Sequence, residues 1–162
     1  MSRYDERLTA TRIARILSEQ HGIGEAHALF RTIRHITNQG LVDTVGAVNT
    51  GSGRSRLYTP SALIYVAILL KLHRSGITAG FMRETVKALN LHLKDDHKTR
   101  DIIRAAEGME QVTIFIIIPD GPEGAVSVHL RPWASVSKLS SQRDGIVIHI
   151  GRFLKSVEPF LR

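Results

Sequence analysis

The chain has 162 residues, 43% of them hydrophobic, no cysteine and a formal net charge of +7. That length holds one or two small domains, and that apolar share excludes general disorder. Without cysteine there are no disulfides, no thiolate metal ligands and no cysteine nucleophile.

The first predicted element is a short amphipathic helix. Thr9 stands as its N-cap, Ile13, Ala14, Ile16 and Leu17 form its apolar side, and His21-Gly22 marks its end. A second helix is predicted from about Gly24-Glu25 to Gln39. Leu29, Ile33 and Ile36 recur at i, i+4 and i+7 and so share one face, while Arg31, Arg34 and His35 fall off it. Gly40 is the expected C-cap. Leu41–Val45 and Arg54–Tyr58 read as two strands of a hairpin whose tip, residues 46–53, is rich in glycine. Thr59-Pro60 reads as the start of a third helix, with threonine at the cap and proline first. This helix is apolar almost all round and is expected to be the central core helix, ending at Ser75-Gly76. Thr78 caps a predicted fourth helix whose buried stripe is Met82, Val86, Leu89 and Leu93.

The charged stretch Lys94–Asp101 marks a boundary, after which the composition turns β-prone. Val112–Ile118 is an apolar strand on both faces. Val126, Val128 and Leu130 alternate with polar residues, as do Ile146, Ile148 and Ile150 around His149. A closing helix is expected around Phe153, Leu154, Val157 and Leu161. A strand apolar on both faces must be covered twice, either inside its own domain or by a second subunit.

The charge is unevenly spread. Residues 1–94 hold 13 Lys+Arg and 6 Asp+Glu, whereas residues 95–162 hold 9 of each, so the whole excess lies in the first part. No acid occurs between Thr44 and Arg83. A region of one sign attracts a polyanion, and duplex DNA is the commonest; a basic soluble surface without a partner is the plainer alternative. The order helix, helix, hairpin, helix, helix adds to the first reading. A helix pair can set its basic second member in the major groove, and a basic hairpin can reach flanking phosphates. Arg31, Arg34, His35, Thr37, Asn38 and Gln39 are the candidate donors on the second helix, with Arg54, Arg56 and Tyr58 on the wing. Position near the helix start makes Glu25, His27, Ala28 and Arg31 the candidates for reading bases.

Two blocks resemble a known family. TIRHITNQGLV (Thr32–Val42) is similar to the end of the recognition helix in MerR-type regulators. RLYTPSALIYVAILLKLHRSGIT (Arg56–Thr78) is similar to their Arg-x-Tyr wing exit and aliphatic third helix. The resemblance covers about residues 7–93. It implies that Arg34 contacts phosphate and that Arg56 and Tyr58 anchor the wing. The family's two aromatics and acid after this arginine are replaced here by His35, Ile36 and Thr37, so the aromatic phosphate contacts do not carry over. Family members distort promoter DNA as dimers joined by a long helix. Residues between Asp95 and Glu107 offer only a short helix, which turns the expected dimer contact towards the C-terminal part.

The expected fold is therefore α+β: a MerR-type winged helix-turn-helix over residues 1–94, a linker or short helix over 95–110, and a small β-rich dimerisation or effector domain over 111–162 with a closing helix. The expected function is that of a bacterial or phage-type transcriptional regulator binding promoter or operator double-stranded DNA through a helix at about 25–39 and a wing at about 45–58. An architectural, replication or partition DNA-binding protein is one alternative. A protein-interaction adaptor that has lost DNA binding is the other.

The expected partner besides DNA is a second copy of the chain. No cofactor, metal or membrane is expected, and the sequence identifies no effector. Trp133, His129, His149 and Arg131 are candidates to line an effector pocket, and His129 and His149 would meet if their strands pair. No Gly-x-Ser-x-Gly elbow, P-loop or HExxH occurs, and Asp95 and Asp96 are adjacent and so diverge on a helix; no enzymatic activity is expected. The opening MSRYDERLTATR lacks the apolar core of a secretory signal, and Ala62–Leu70, the longest apolar run, is too short to span a bilayer. A cytoplasmic, nucleoid-associated location is the expectation.

Overall fold

The computed structural model describes residues 7–46, 55–93, 112–117, 126–132 and 144–151. Among them are four helices and two small antiparallel sheets, an α+β architecture. In chain order these are β1 (Leu8–Thr9), α1 (Ala10–Glu19), α2 (Ala26–Asn38), β2 (Leu57–Tyr58), α3 (Ala62–Arg74), α4 (Ala79–Leu93), β3 (Val112–Ile117), β4 (Ser127–Pro132) and β5 (Gly145–His149). Arg54, most of the hairpin tip, the stretch 95–110, Trp133 and the expected closing helix lie outside the described residues.

Local chemistry accounts for the helix limits. Thr9 caps α1, its hydroxyl oxygen accepting from the Arg12 amide at 3.2 Å. Thr78 does the same for α4, accepting from the Phe81 amide at 3.3 Å. α2 stops where Gly40 turns to φ +70, a conformation that costs a side-chain-bearing residue about 1–2 kcal/mol. The Leu41 amide then reaches back to the Ile36 carbonyl at 3.0 Å, and Leu41 itself is buried. α1 and α3 end the same way, with Ile23 returning to Leu17 and Ile77 to Leu72.

The start of α3 differs from the expectation. The helix begins at Ala62, not at Thr59-Pro60. The Thr59 hydroxyl is hydrogen-bonded to the Ser61 hydroxyl at 2.9 Å, so it is not a helix cap. Residues 59–61 instead make a tight turn, with Ala62, Leu63 and Ile64 donating to Thr59, Pro60 and Ser61. The hairpin also differs. Only Leu57–Tyr58 forms a strand, and its ladder partner is β1, in the register Leu8↔Tyr58 and Thr9↔Leu57. The expected first hairpin strand contributes one bridge, from the Val45 amide to the Leu57 carbonyl at 2.7 Å. Leu41 and Val42 are buried in the core instead.

α3 is the centre of the helical part: every residue from Ala62 to Leu70 is buried, as is Leu72. Each fully buried Leu or Ile there contributes about 1.5–3 kcal/mol through removal of apolar surface from water. α1 packs against α2, and α4 against α3. The second sheet has the order β4-β3-β5, so β3 is central. Ile114 and Ile116 are buried on one face of β3, and Thr113 and Ile117 on the other. One chain therefore buries both faces, and the strand by itself does not require a second subunit. β4 contacts α4, and Ile114, Ile116, Val128, Ile148 and Ile150 join the apolar cluster of the helical part. Among the described residues no helix is long and apolar enough to cross a membrane.

Candidate nucleic-acid interface

The amphipathic period of α2 sorts its residues cleanly. Leu29, Ile33 and Ile36 point inward and are buried to within 2% of full burial. His27, Arg31, Arg34, His35 and Asn38 are all exposed. Their spacing of four, three, one and three residues keeps them on one side of the cylinder, since 3.6 residues complete a turn. The outer face of α2 is thus a stripe of cations, imidazoles and an amide. Its one acid is Glu25, the N-cap, whose side chain makes no cap hydrogen bond. Glu25 and Ala28 are exposed as well, so all four base-reading candidates are accessible. Arg34 lies over the Phe30 ring, 5.7 Å from its centroid, which restrains its direction.

Two of the expected donors are not on that face. Thr37 is 1% exposed, and its hydroxyl donates to the Ile33 carbonyl at 2.8 Å. Tyr58 is fully buried, with its hydroxyl 3.1 Å from the Thr37 hydroxyl. Neither reaches a nucleic acid directly. Their contact ties β2 to the back of α2. Gln39 is half-buried at the helix end. Replacing Tyr58 with Phe is expected to lower unfolding stability by about 1 kcal/mol, the net worth of one buried hydrogen bond, as read from a urea titration. The fold persists because Thr37 keeps its bond to Ile33.

Arg56 is half-buried and held by contacts within its own chain. The structure brings in one cation that the sequence pattern does not mark, Arg74 at the end of α3. Its guanidinium stands over Gly24, where a Cβ would lie 2.5 Å from Nη2. Gly24 is two residues before α2, so Arg74 adds a positive group at the amino end of that helix. The six-residue connection Gln20–Glu25 is closed by this contact and by buried Ile23. Gly24 has φ +135, a region open almost only to glycine. Gly24→Ala is expected to cost about 1–3 kcal/mol of stability and to displace the Arg74 side chain, checked by thermal melting and by the Arg74 side-chain NMR signal.

In the C-terminal sheet, His129 pairs with Phe115 and His149 with Thr113, on opposite sides of β3. The two histidine strands are not neighbours but are separated by β3, so the histidines do not meet. The His149 Nδ1 is instead 3.0 Å from the Thr113 hydroxyl. Arg131 lies in β4 opposite Thr113. Among the described residues no three potential metal ligands cluster. A scan against protein-family models finds no match for the chain, and no curated protein is significantly similar to it.

Proposed function

We propose that the chain is a DNA-binding transcriptional regulator that reads duplex DNA with the outer face of α2. The observation that carries this reading is the separation of the two sides of that helix. Its apolar side is consumed by the core, while His27, Arg31, Arg34, His35 and Asn38 stay exposed in one stripe. A stripe of this kind supplies bidentate arginine donors for guanine edges or phosphates and an amide for adenine. The order α1, α2, β2 is compatible with a helix-turn-helix reading, and the concentration of net charge in residues 1–94 would supply long-range attraction. The resemblance to MerR-type regulators points the same way.

The reading is tested by measuring affinity for random duplex DNA over a range of salt concentrations. Binding that falls linearly on a log–log plot supports it, because each neutralised phosphate adds about 0.9 to the slope. No binding at low salt overturns it in favour of an adaptor role. A footprint at a defined inverted repeat distinguishes a regulator from a protein that coats DNA. A regulator acting at such a repeat presents two copies of α2, hence the proposal of a homodimer. The burial of both faces of β3 within one chain leaves the dimer contact unassigned.

A further inference from the structure

A cleft of about 200 Å³ lies between the chain leaving α2, the start of α3 and one side of α4. Leu41, Val42, Ala62 and Val86 supply its apolar lining, and Asp43, Tyr65 and Asn90 the main polar groups. Among the described residues Asp43 is the sole charged one of the lining, and its carboxylate forms no ion pair with a described residue. It is also the one acid between Glu25 and Glu84, in a region otherwise basic. The Tyr65 hydroxyl donates to the Asn90 side-chain oxygen at 2.8 Å. Burial, and then the nearby Asp43 carboxylate, holds that hydroxyl protonated far above the ordinary tyrosine range. Its proton goes to Asn90, which leaves its oxygen lone pairs able to accept from a donor in the cleft.

We propose that this cleft binds a small primary ammonium with a short aliphatic body, its N–H groups shared between Asp43 and the Tyr65 oxygen. The aliphatic part lies on Leu41, Val42, Ala62 and Val86. An anion finds no cation among the described residues of the lining and is repelled by Asp43, despite the positive charge of the molecule as a whole. A neutral alcohol leaves the carboxylate without a counter-charge. Drug-sized ligands fill roughly 300–1,000 Å³, so this volume selects something smaller. The site is separate from the outer face of α2, and the inference does not depend on DNA binding.

The test is calorimetric titration of the full chain, without DNA, with n-butylammonium chloride, and with 1-butanol and sodium butyrate as size-matched controls at constant ionic strength. Saturable binding of butylammonium alone is expected. Asp43→Asn is expected to weaken it by about tenfold or more, the loss of a charge-assisted contact. Asp43 is exposed, so this variant keeps the fold, which an unchanged melting temperature verifies. Tyr65→Phe is expected to weaken binding by a smaller factor. Absence of saturable butylammonium binding, butyrate binding as tight, or equal affinity in Asp43→Asn each overturns the proposal.

Discussion

Reversing Arg31 and Arg34 together to glutamate is expected to weaken duplex binding by about a hundredfold or more and to flatten its salt dependence by about 1.8 on the log–log slope. The size follows from two contacts worth about 1–3 kcal/mol each, with repulsion added to loss. Both side chains are exposed on the outer face of α2, so the substitutions leave the core contacts of Leu29, Ile33 and Ile36 in place. A circular dichroism spectrum unchanged from wild type checks this. Lys87→Glu is the control for single reversals, because Lys87 is an exposed cation on α4, paired with Glu84 at 2.7 Å. It changes net charge as much as Arg34→Glu alone. If the two single variants lose affinity equally, only the overall charge matters, and α2 is not the reading face.

The second large effect is on stability. Ile33→Ala removes a fully buried side chain from the inner face of α2 and is expected to cost about 2–5 kcal/mol. For a chain of this size that is a fall in melting temperature of about 4–20 °C, since each kcal/mol shifts it by about 2–4 °C. The cost has two sources, lost apolar transfer and the cavity left beside α1, against which α2 packs. Leu91→Ala is the matched control: Leu91 is 75% exposed and is expected to change stability by less than about 0.5 kcal/mol. Measured below its melting transition, Ile33→Ala should still bind DNA, since the outer stripe is untouched. Stability and DNA binding then separate on the two faces of one helix.

Much of the helical part is legible from residue order because its signals are local. Thr9 and Thr78 announce helix starts through hydroxyls that reach an amide three residues on. Gly22-Ile23, Gly40-Leu41 and Gly76-Ile77 announce ends, where glycine reverses the chain and an aliphatic residue closes it. Thr59-Pro60 carries the same start signal and is not a start, because a second hydroxyl at Ser61 competes for the Thr59 side chain. Strand β1 escapes a periodicity reading altogether, since two residues hold no period. It exists because β2 is there to pair with it.

The candidate interface divides in the same way. Arg31, Arg34, His35 and Asn38 were assignable to an exposed face from helical spacing alone, and they occupy it. Thr37 and Tyr58 were not distinguishable from exposed donors by type, because a hydroxyl suits either solvent or a buried partner. Their mutual contact at 3.1 Å joins residues from α2 and β2, and only the packing of those elements brings them together. Arg74 reaches the amino end of α2 for the same reason.

By itself, the sequence determined that this protein has a basic, helix-rich first part with an apolar third helix, and a β-prone remainder. These are properties of composition and of periods within one segment. Tertiary structure decided which strand partners β2, that β3 is central with both faces covered, and that His129 and His149 stand apart. It also decided that Asp43, Tyr65 and Asn90 line one cleft. Each of those depends on contacts between distant segments, whose geometry no local pattern encodes.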